Sequence, residues 1–433
     1  MLNRILIMAI CVLILCPVFF IGCGDGNPIT PTPTPAGPVT IQKVNDTYYL
    51  VSLDLTSTSH RELGRRYAEM IEIYMPDYEE ISDSFLKDMV DELAKAGITF
   101  DDLKNRAFDL KQSLLQEYID EIDGMSEVFS YTTDLPGDGR LSQNELLLLQ
   151  LVPDVMRPTM CSASAAFGSS SYTGNTIVGR NLDWYDFPET ELSRLHAITV
   201  IKNGSKSITL IGSLGQLWVA SAFSDDKIFG AILDSDTEEP YPPTAGKRSY
   251  VFDLRYALEN SNTLQGVVDY FKDRDYAYNH LIFLADENTA GVLEENIGSP
   301  ERGLRLCNSP LRTGVTWGIP DAIATANSFV LPGNFDNHSF PSNVKRWESF
   351  RNLYTTRLST GKIDVDKMKM IMGYYGTDGT AATSGALYRS DSSPTIQSII
   401  LRMDTYEMWV AFSPVGTKPL SPTYIQVLNG SPF

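Results

Sequence analysis

The character of this chain changes at residue 161. Upstream, apolar side chains recur at helical spacing; downstream they fall into short runs rich in Ile, Val, Leu and aromatics. Within residues 61–74, Leu63, Tyr67, Ile71 and Tyr74 share one helix face. Residues 117–129 and 143–156 read as two further helices, with a short strand, 48–55, ahead of them all. Downstream, 176–183, 196–202, 207–214, 217–223, 227–234 and 281–285 read as strands, and 398–412 as two strands around Asp404-Thr405. Helices at 250–271, 343–357 and 365–375 interrupt them. That order predicts an α+β class in which helices cover an antiparallel sheet system. Hydrophobic content of 43% is ample for a core in a chain of 433 residues. No internal repeat is present.

The first residues carry a different signal. Arg4 is followed by a nearly unbroken apolar run, 5–21, too short for a membrane span and ordered like a secretory signal. It ends in Phe20-Ile21-Gly22-Cys23, which resembles the bacterial lipobox, so Cys23 is the expected lipidation site. NPITPTPTPAGP, 27–38, follows as an extended Pro/Thr tether. The expected organisation is a signal peptide (1–22), a lipid-anchored tether (23–43), a mainly helical pro-segment (44–160) and a catalytic domain (161–433). Such a chain belongs at the bacterial cell envelope, with a lipid membrane as partner through Cys23. A signal-anchor helix is the alternative.

Two totals narrow the chemistry. A net charge of −19 with no basic run excludes nucleic acid as a partner, because phosphate neutralisation needs clustered Lys and Arg. Of five cysteines, Cys11 and Cys16 leave with the signal and Cys23 takes the lipid, so Cys161 and Cys307 remain. They form either a disulfide, which an exported protein tolerates, or one working and one buried thiol.

The stretch from Cys161 to Trp184 has a Thr-Gly-Asn turn signal between two apolar runs and reads as a β-hairpin. A turn centred near Thr173 sets Cys161 opposite about residue 185, with Arg180 and Asp183 close to the thiol. Because those two are three residues apart, the strand must end or bulge for both to reach it. The chain has four histidines, His60, His196, His280 and His338, none beside Cys161 in sequence. A free α-amino group, with a pKa near 7.7–8.0, can serve as the base instead. That requires Cys161 to become residue one by cleavage after Met160. Arg180 would then hold the thiolate or a substrate carboxylate, and Asp183 would orient the amine.

CSASAA at 161–166 followed by VGRNLDW at 178–184 resembles the opening of the N-terminal-nucleophile cysteine hydrolases. The nearest are the acyl-coenzyme A:6-aminopenicillanic acid acyltransferase-like proteins. Acid ceramidase, N-acylethanolamine acid amidase and the choloylglycine hydrolases are more distant. The resemblance covers most of 55–415 and includes SHRELG at 59–64, EIDGMSE at 121–127, FDLRYALE at 252–259 and NHLIFLADENTAGVLE at 279–294. It implies a four-layer αββα sandwich preceded by a helical pro-segment, and autocatalytic cleavage. It also implies hydrolysis of linear N-acyl amides of small molecules through a thioester, with no cofactor needed for catalysis. The family's oxyanion asparagine matches Asn327 in ATANSF, followed by Arg346 in SNVKRWESF, although Ala326 is inserted after Thr325. Asn308 in LCNSP competes for that role.

DLPGDGRLSQNE, 134–145, fits part of a calcium-loop pattern between two helices, with Asp134, Asp138, Ser142 and Glu145 as candidate ligands. Pro136 replaces a usual carboxylate. The alternative is an inter-helix loop with Asp-Gly turns and a Ser142 helix cap. A structural Ca2+ there would brace the pro-segment. Ser342-Asn343-Val344-Lys345 fits S-x-x-K but lacks its partner motifs. Three functional alternatives stay open: acyl transfer by the same mechanism, a non-catalytic envelope binding lipoprotein, and a Cys–His papain-like hydrolase.

Overall fold

The computed structural model describes residues 37–156, 161–185, 191–297, 302–377, 384–391 and 393–433. The signal, Cys23, most of the tether and Met160 lie outside the described residues. No helix among the described residues is long and apolar enough to cross a membrane.

Two sheets form the centre. One has nine strands in the order β1 (Val39–Val44), β2 (Tyr48–Asp54), β5 (His196–Asn203), β6 (Lys206–Ser213), β7 (Ser221–Ser224), β8 (Phe229–Asp234), β9 (His280–Ala285), β10 (Ala290–Glu295) and β11 (Gly303–Arg305). The other has six: β12 (Ala322–Thr325), β3 (Cys161–Ala166), β4 (Ile177–Asp183), β13 (Thr395–Arg402), β14 (Glu407–Phe412) and β15 (Ile425–Asn429). Helix α7 (Tyr250–Asn260) lies on β6, β7 and β8, with α8 (Leu264–Phe271) beside it. Helices α9 (Pro341–Ser359) and α10 (Val365–Met372) cover β12, β4 and β13 from the opposite side. The result is α+β, four layers deep, as expected. Strand β3 sits inside it and is buried at every position. Its Cys161, Ala163 and Ala165 join the core between the sheets, while Ser164 turns to Met368 and Met372 of α10.

The segment before residue 157 is built into this frame. Its helices are α1 (His60–Tyr74), α2 (Tyr78–Ala94), α3 (Phe100–Lys111), α4 (Gln116–Met125), α5 (Gln143–Gln150) and α6 (Val152–Met156). Strand β1 takes up 39–43, the end of the stretch read as tether, because Val39, Ile41 and Val44 are buried. Strand β2 pairs in parallel with β5, Tyr49 opposite Ala197, so one sheet spans both sides of position 160. The two glycine-bearing segments 59–64 and 121–127 meet where α1 crosses α4. A Cβ on Gly64 would lie 2.0 Å from the Glu121 carbonyl oxygen, and one on Gly124 2.0 Å from that of Arg61. Buried Glu121 then receives Arg255 Nη2 of α7 at 3.0 Å and His60 Nδ1 at 2.7 Å, an ionic tie between the two parts of the chain.

Several elements differ from the periodicity reading. The helix expected over 143–156 breaks at Leu151, ahead of Pro153. The one over 250–271 splits at Ser261–Thr263, where the Thr263 hydroxyl caps α8. Residues 217–220 are not strand; the Leu217 N–H is held by Gln150.

Candidate active site

Cys161 opens β3 and is 1% exposed. It pairs with Leu182, three residues short of the expected partner. The connection is not a symmetric turn: it contains a tight helical turn at Gly168–Ser170 before the Ser171–Thr176 loop. Directly opposed antiparallel residues share a face, so Cys161, Leu182 and Arg180 all point into the space between the sheets. There Arg180 Nη2 reaches Cys161 Sγ at 3.2 Å and the Ile232 carbonyl of β8 at 2.7 Å. Its Nη1 donates to the Asn181 carbonyl. The guanidinium thus ties the thiol to both sheets.

Asp183 behaves differently. Strand β4 stays regular through it, and the bulge falls instead in β13, between Thr395 and Gln397. Strand alternation therefore leaves its carboxylate on the helix-covered face, where the Thr395 hydroxyl donates to it at 2.6 Å. Its backbone carbonyl, not its carboxylate, lies 3.9 Å from Cys161 Sγ. Burial pushes this carboxyl up to about 7, opposed by the charge of Arg389, the Thr395 hydrogen bond and the charge of Arg346. The expected convergence of both side chains on the sulfur holds for Arg180 alone.

Asn327 arrives through β12. That strand pairs with β3, Thr325 opposite Ala163. Carried two residues further, the register sets Asn327 opposite Cys161, and the inserted Ala326 is what makes the spacing fit. The Cys161 N–H donates to Asn327 Oδ1 at 2.7 Å, and Asn327 Nδ2 donates to the Asp234 carbonyl at 2.8 Å. Arg346, from the start of α9, donates to the Cys161 carbonyl at 2.9 Å, to Asn327 Oδ1 at 2.9 Å and to Asn343 Oδ1 at 2.7 Å. Burial lowers the Arg346 guanidinium to about 10, with Asp183 pulling the other way. Both backbone polar groups of Cys161 are therefore gripped by side chains from distant elements.

The competing assignments separate. Asn308 is exposed in the turn after β11, at the edge of the other sheet from Cys161. Cys161 and Cys307 are both free thiols, so no disulfide joins them. Each imidazole is engaged away from Cys161: His60 with Glu121, His196 with Ser413 and Gln397, His280 with the Tyr278 carbonyl, His338 with Ser328.

Two cavities are lined by neighbours of the cysteine. Leu182, its cross-strand neighbour, lines an apolar one with Trp184, Trp218, Leu149, Tyr78 and Phe85, drawn from both sides of position 160. Asn327 lines the other, of about 340 Å³, with Asp234, Asp236, Tyr185, Tyr241 and Ser342. Sequence patterns pointed to neither Asp234 nor Asp236; their one signal is position, at and just past the end of β8. Arg389 and Thr395 carried no local signal at all.

The 134–145 residues do not gather round a point. Asp134 accepts from Lys104 Nζ (2.7 Å), Ser142 Oγ (2.8 Å) and Asn144 Nδ2 (3.0 Å). Asp138 accepts from the Arg140 N–H within its own loop. Ser142 and Glu145 form the capping box that starts α5. The loop's backbone faces Asp83 of α2, whose carboxylate accepts from Gly137 N at 2.7 Å and Gly139 N at 2.6 Å. A cation needs converging oxygens, and this loop instead turns N–H donors on a carboxylate, so the residues do not fit calcium. Among the described residues no group of three or more His, Cys, Asp or Glu could hold a metal ion.

The sequence matches no family model and no curated protein. Among solved structures, the chain is similar to the Caenorhabditis elegans ortholog of N-acylethanolamine-hydrolyzing acid amidase, at 15% identity and a TM-score of 0.35, over 56% of this chain and 93% of that one. It is similar to a mutant conjugated bile acid hydrolase from Clostridium perfringens at 10% identity and a TM-score of 0.36, over 61% and 96%. A third is penicillin V acylase from Agrobacterium tumefaciens, at 9% identity and a TM-score of 0.30, over 61% and 85%.

Proposed function

We propose that this chain is an N-terminal-nucleophile hydrolase of linear N-acyl amides, with Cys161 as nucleophile. One observation carries the reading: a buried cysteine at a strand start has its sulfur on Arg180, its N–H on Asn327 and its carbonyl on Arg346. A buried structural cysteine needs none of these three, whereas a thiol that must ionise, beside an amide bond that must be held still, uses all of them.

The chain first cuts itself between Met160 and Cys161, a net addition of water that leaves a carboxylate on Met160 and a free amine on Cys161. That amine, as base, takes the thiol proton; the sulfur attacks the substrate carbonyl, and the amine product leaves with the proton. Water then opens the thioester and releases the acid. Arg180 stabilises the thiolate. Asn327 supplies an N–H of its Nδ2 for the oxyanion, an interaction worth about 3–4 kcal/mol in comparable sites. Asp183 acts from the far face of β4, through Arg346 and the strand. The apolar cavity beside Leu182 supports an apolar acyl group as the acid half of the substrate. An acyl acceptor other than water would turn the same steps into a transfer. The mature protein sits at the cell envelope, anchored by lipid on Cys23.

Intact-mass analysis tests the reading. Wild type should give two fragments divided between Met160 and Cys161 that remain associated, and Cys161→Ala a single uncut chain. An uncut wild-type chain whose Cys161 resists alkylation and whose preparation hydrolyses no N-acyl amide would overturn it and favour a binding lipoprotein.

A further inference from the structure

We infer that Glu294 and Arg305 are positioning residues for the oxyanion donor: together they fix the chain on both sides of Asn327, and the rate of amide cleavage depends on that hold. The inference rests on the amidase reading of Cys161 and Asn327 and adds to it the part that keeps Asn327 in place.

Asn327 follows β12, the edge strand of the six-stranded sheet, which has a strand neighbour on one side only. Two side chains of the nine-stranded sheet hold the chain here, Glu294 of β10 and Arg305 of β11. Both are fully buried, and their register sets them diagonally across the β10–β11 pair, where Arg305 Nε donates to Glu294 Oε1 at 3.0 Å. Three residues before Asn327, the Ala324 carbonyl accepts from Arg305 Nη2 at 2.9 Å. Three residues after it, the Val330 N–H donates to both Glu294 oxygens at 3.1 Å, and the next N–H, of Leu331, to Oε2 at 3.0 Å. Asn334 Nδ2 adds a bond to Oε2 at 2.9 Å. One ion pair thus grips the chain at equal separations before and after the asparagine. The Arg305 guanidinium also lies over the Trp347 ring, 5.5 Å from its centre, next to the Arg346 that holds Asn327 Oδ1.

Burying an ion pair costs much of what the pair returns, and apolar residues of similar volume often serve stability as well. What apolar residues do not supply is direction. Here one carboxylate takes bonds from an arginine, two peptide N–H groups and a side-chain amide, and each bond has a preferred line of approach. An oxyanion donor works only if it is already aimed when charge develops, and a displacement of about 1 Å can cost about a hundredfold in rate. The thiol is tied to the same sheet, through Arg180 on the Ile232 carbonyl of β8. Nucleophile and oxyanion donor, both carried by the six-stranded sheet, are thereby both indexed to the nine-stranded one.

The test compares self-cleaved wild type with Glu294→Gln, which keeps the shape of the side chain and turns an NH2 towards donors. On an N-acyl amide, kcat should fall by roughly ten- to a hundredfold with KM nearly unchanged, because the lost interaction belongs to the transition state. Octanal, which adds to the thiol and places its oxygen where the oxyanion forms, should lose affinity in step with kcat. Alkylation of Cys161 by iodoacetamide, which displaces iodide and builds no charge on a carbonyl oxygen, should keep its wild-type rate. A general loosening of the site would instead move KM and alkylation as well. Asn334→Ala removes one donor and no charge; it should act in the same direction by less, and it carries the same test if Glu294→Gln does not fold. An unchanged kcat, or a loss seen in KM or alkylation rather than in kcat and octanal affinity, would overturn the inference and leave the amidase reading standing. Absence of thiol-dependent hydrolysis in wild type would bring down the amidase reading, and this inference with it.

Discussion

In the 161–183 hairpin, polar groups from three separate elements turn inward on one residue; in the 134–145 loop, the polar side chains turn away from its centre. Both stretches carry a pattern of residues suited to holding something. Around Cys161 the partners are Arg180 from β4, Asn327 from beyond β12, Arg346 from α9 and the Asp183 carbonyl. In the loop, Asp134 is taken by Lys104, Ser142 and Asn144, Glu145 by a cap, and the central position by Asp83. The difference shows what separates a site from a motif. A motif becomes a site when the fold leaves its groups aimed at a shared point, and becomes scaffold when local hydrogen bonds use them first.

The largest test of that contrast removes the focus of the hairpin. Cys161→Ala should abolish both self-cleavage and amide hydrolysis, a loss of about a millionfold in rate if this thiol is the nucleophile. The uncut variant should keep a melting temperature close to wild type, because a methyl group replaces a thiol in a pocket still closed by Leu182. Calorimetry alongside a thiol-independent product assay separates lost chemistry from lost fold.

The matching change in the loop is Asp83→Ala. It strands the Gly137 and Gly139 N–H groups in a partly buried loop, at a cost of about 1–3 kcal/mol in stability. Urea midpoints should fall accordingly, while the kcat of the cleaved enzyme stays near wild type. A large loss of activity at unchanged stability would show that the loop serves the reaction, and the contrast would break.

How much of this the sequence disclosed depended on separation along the chain. Arg180 and Asp183 could be placed beside Cys161 because a short hairpin relates them, although its asymmetric connection shifted the register by three residues. Asn327 was reached by resemblance, and the apparent misfit of Ala326 dissolves once β12 is laid against β3. Asp83, Arg389 and Thr395 lie 50 or more residues from the groups they serve, on elements whose local pattern concerns only their own burial. The acidic face of α2 masked even its helical stripe of Ile81, Phe85, Met89 and Leu93. The capping role of Ser142 was legible because capping is local; the choice of Asp83 over a cation was not.

Protonation gives a smaller effect that both stretches share. Burial raises Asp183 and Glu145 each to about 7, from ordinary values near 4. The folded chain therefore keeps protons that the unfolded chain releases. The stability from these groups is complete below about pH 4 and is lost as pH rises through 7. Thermal midpoints should fall between pH 5 and pH 8, with buried Asp154, raised to about 8, adding to the slope. Asp183→Asn and Glu145→Gln should each flatten it. If only Asp183→Asn does, Glu145 is held as carboxylate by the Ser142 cap and the two stretches differ in charge as well as in direction.

The smallest expected effect is that of calcium itself. A ligand held only by the folded state stabilises by about 2.7 kcal/mol at a hundredfold excess over its Kd, enough to move a melting curve plainly. In the 134–145 loop a cation would have to displace the Lys104 ammonium from Asp134, open the Ser142–Glu145 box that starts α5, and turn Gly137 and Gly139 away from Asp83. Each step gives up a hydrogen bond already made, and Pro136 offers no carboxylate in return. Millimolar Ca2+ should therefore leave the melting temperature of wild type unchanged. Asp83→Ala sharpens the test, because it vacates the position the N–H groups face without supplying an oxygen. It should gain no calcium response either, whereas a response in wild type would mean that the loop rearranges into a ligand set and belongs with the hairpin after all.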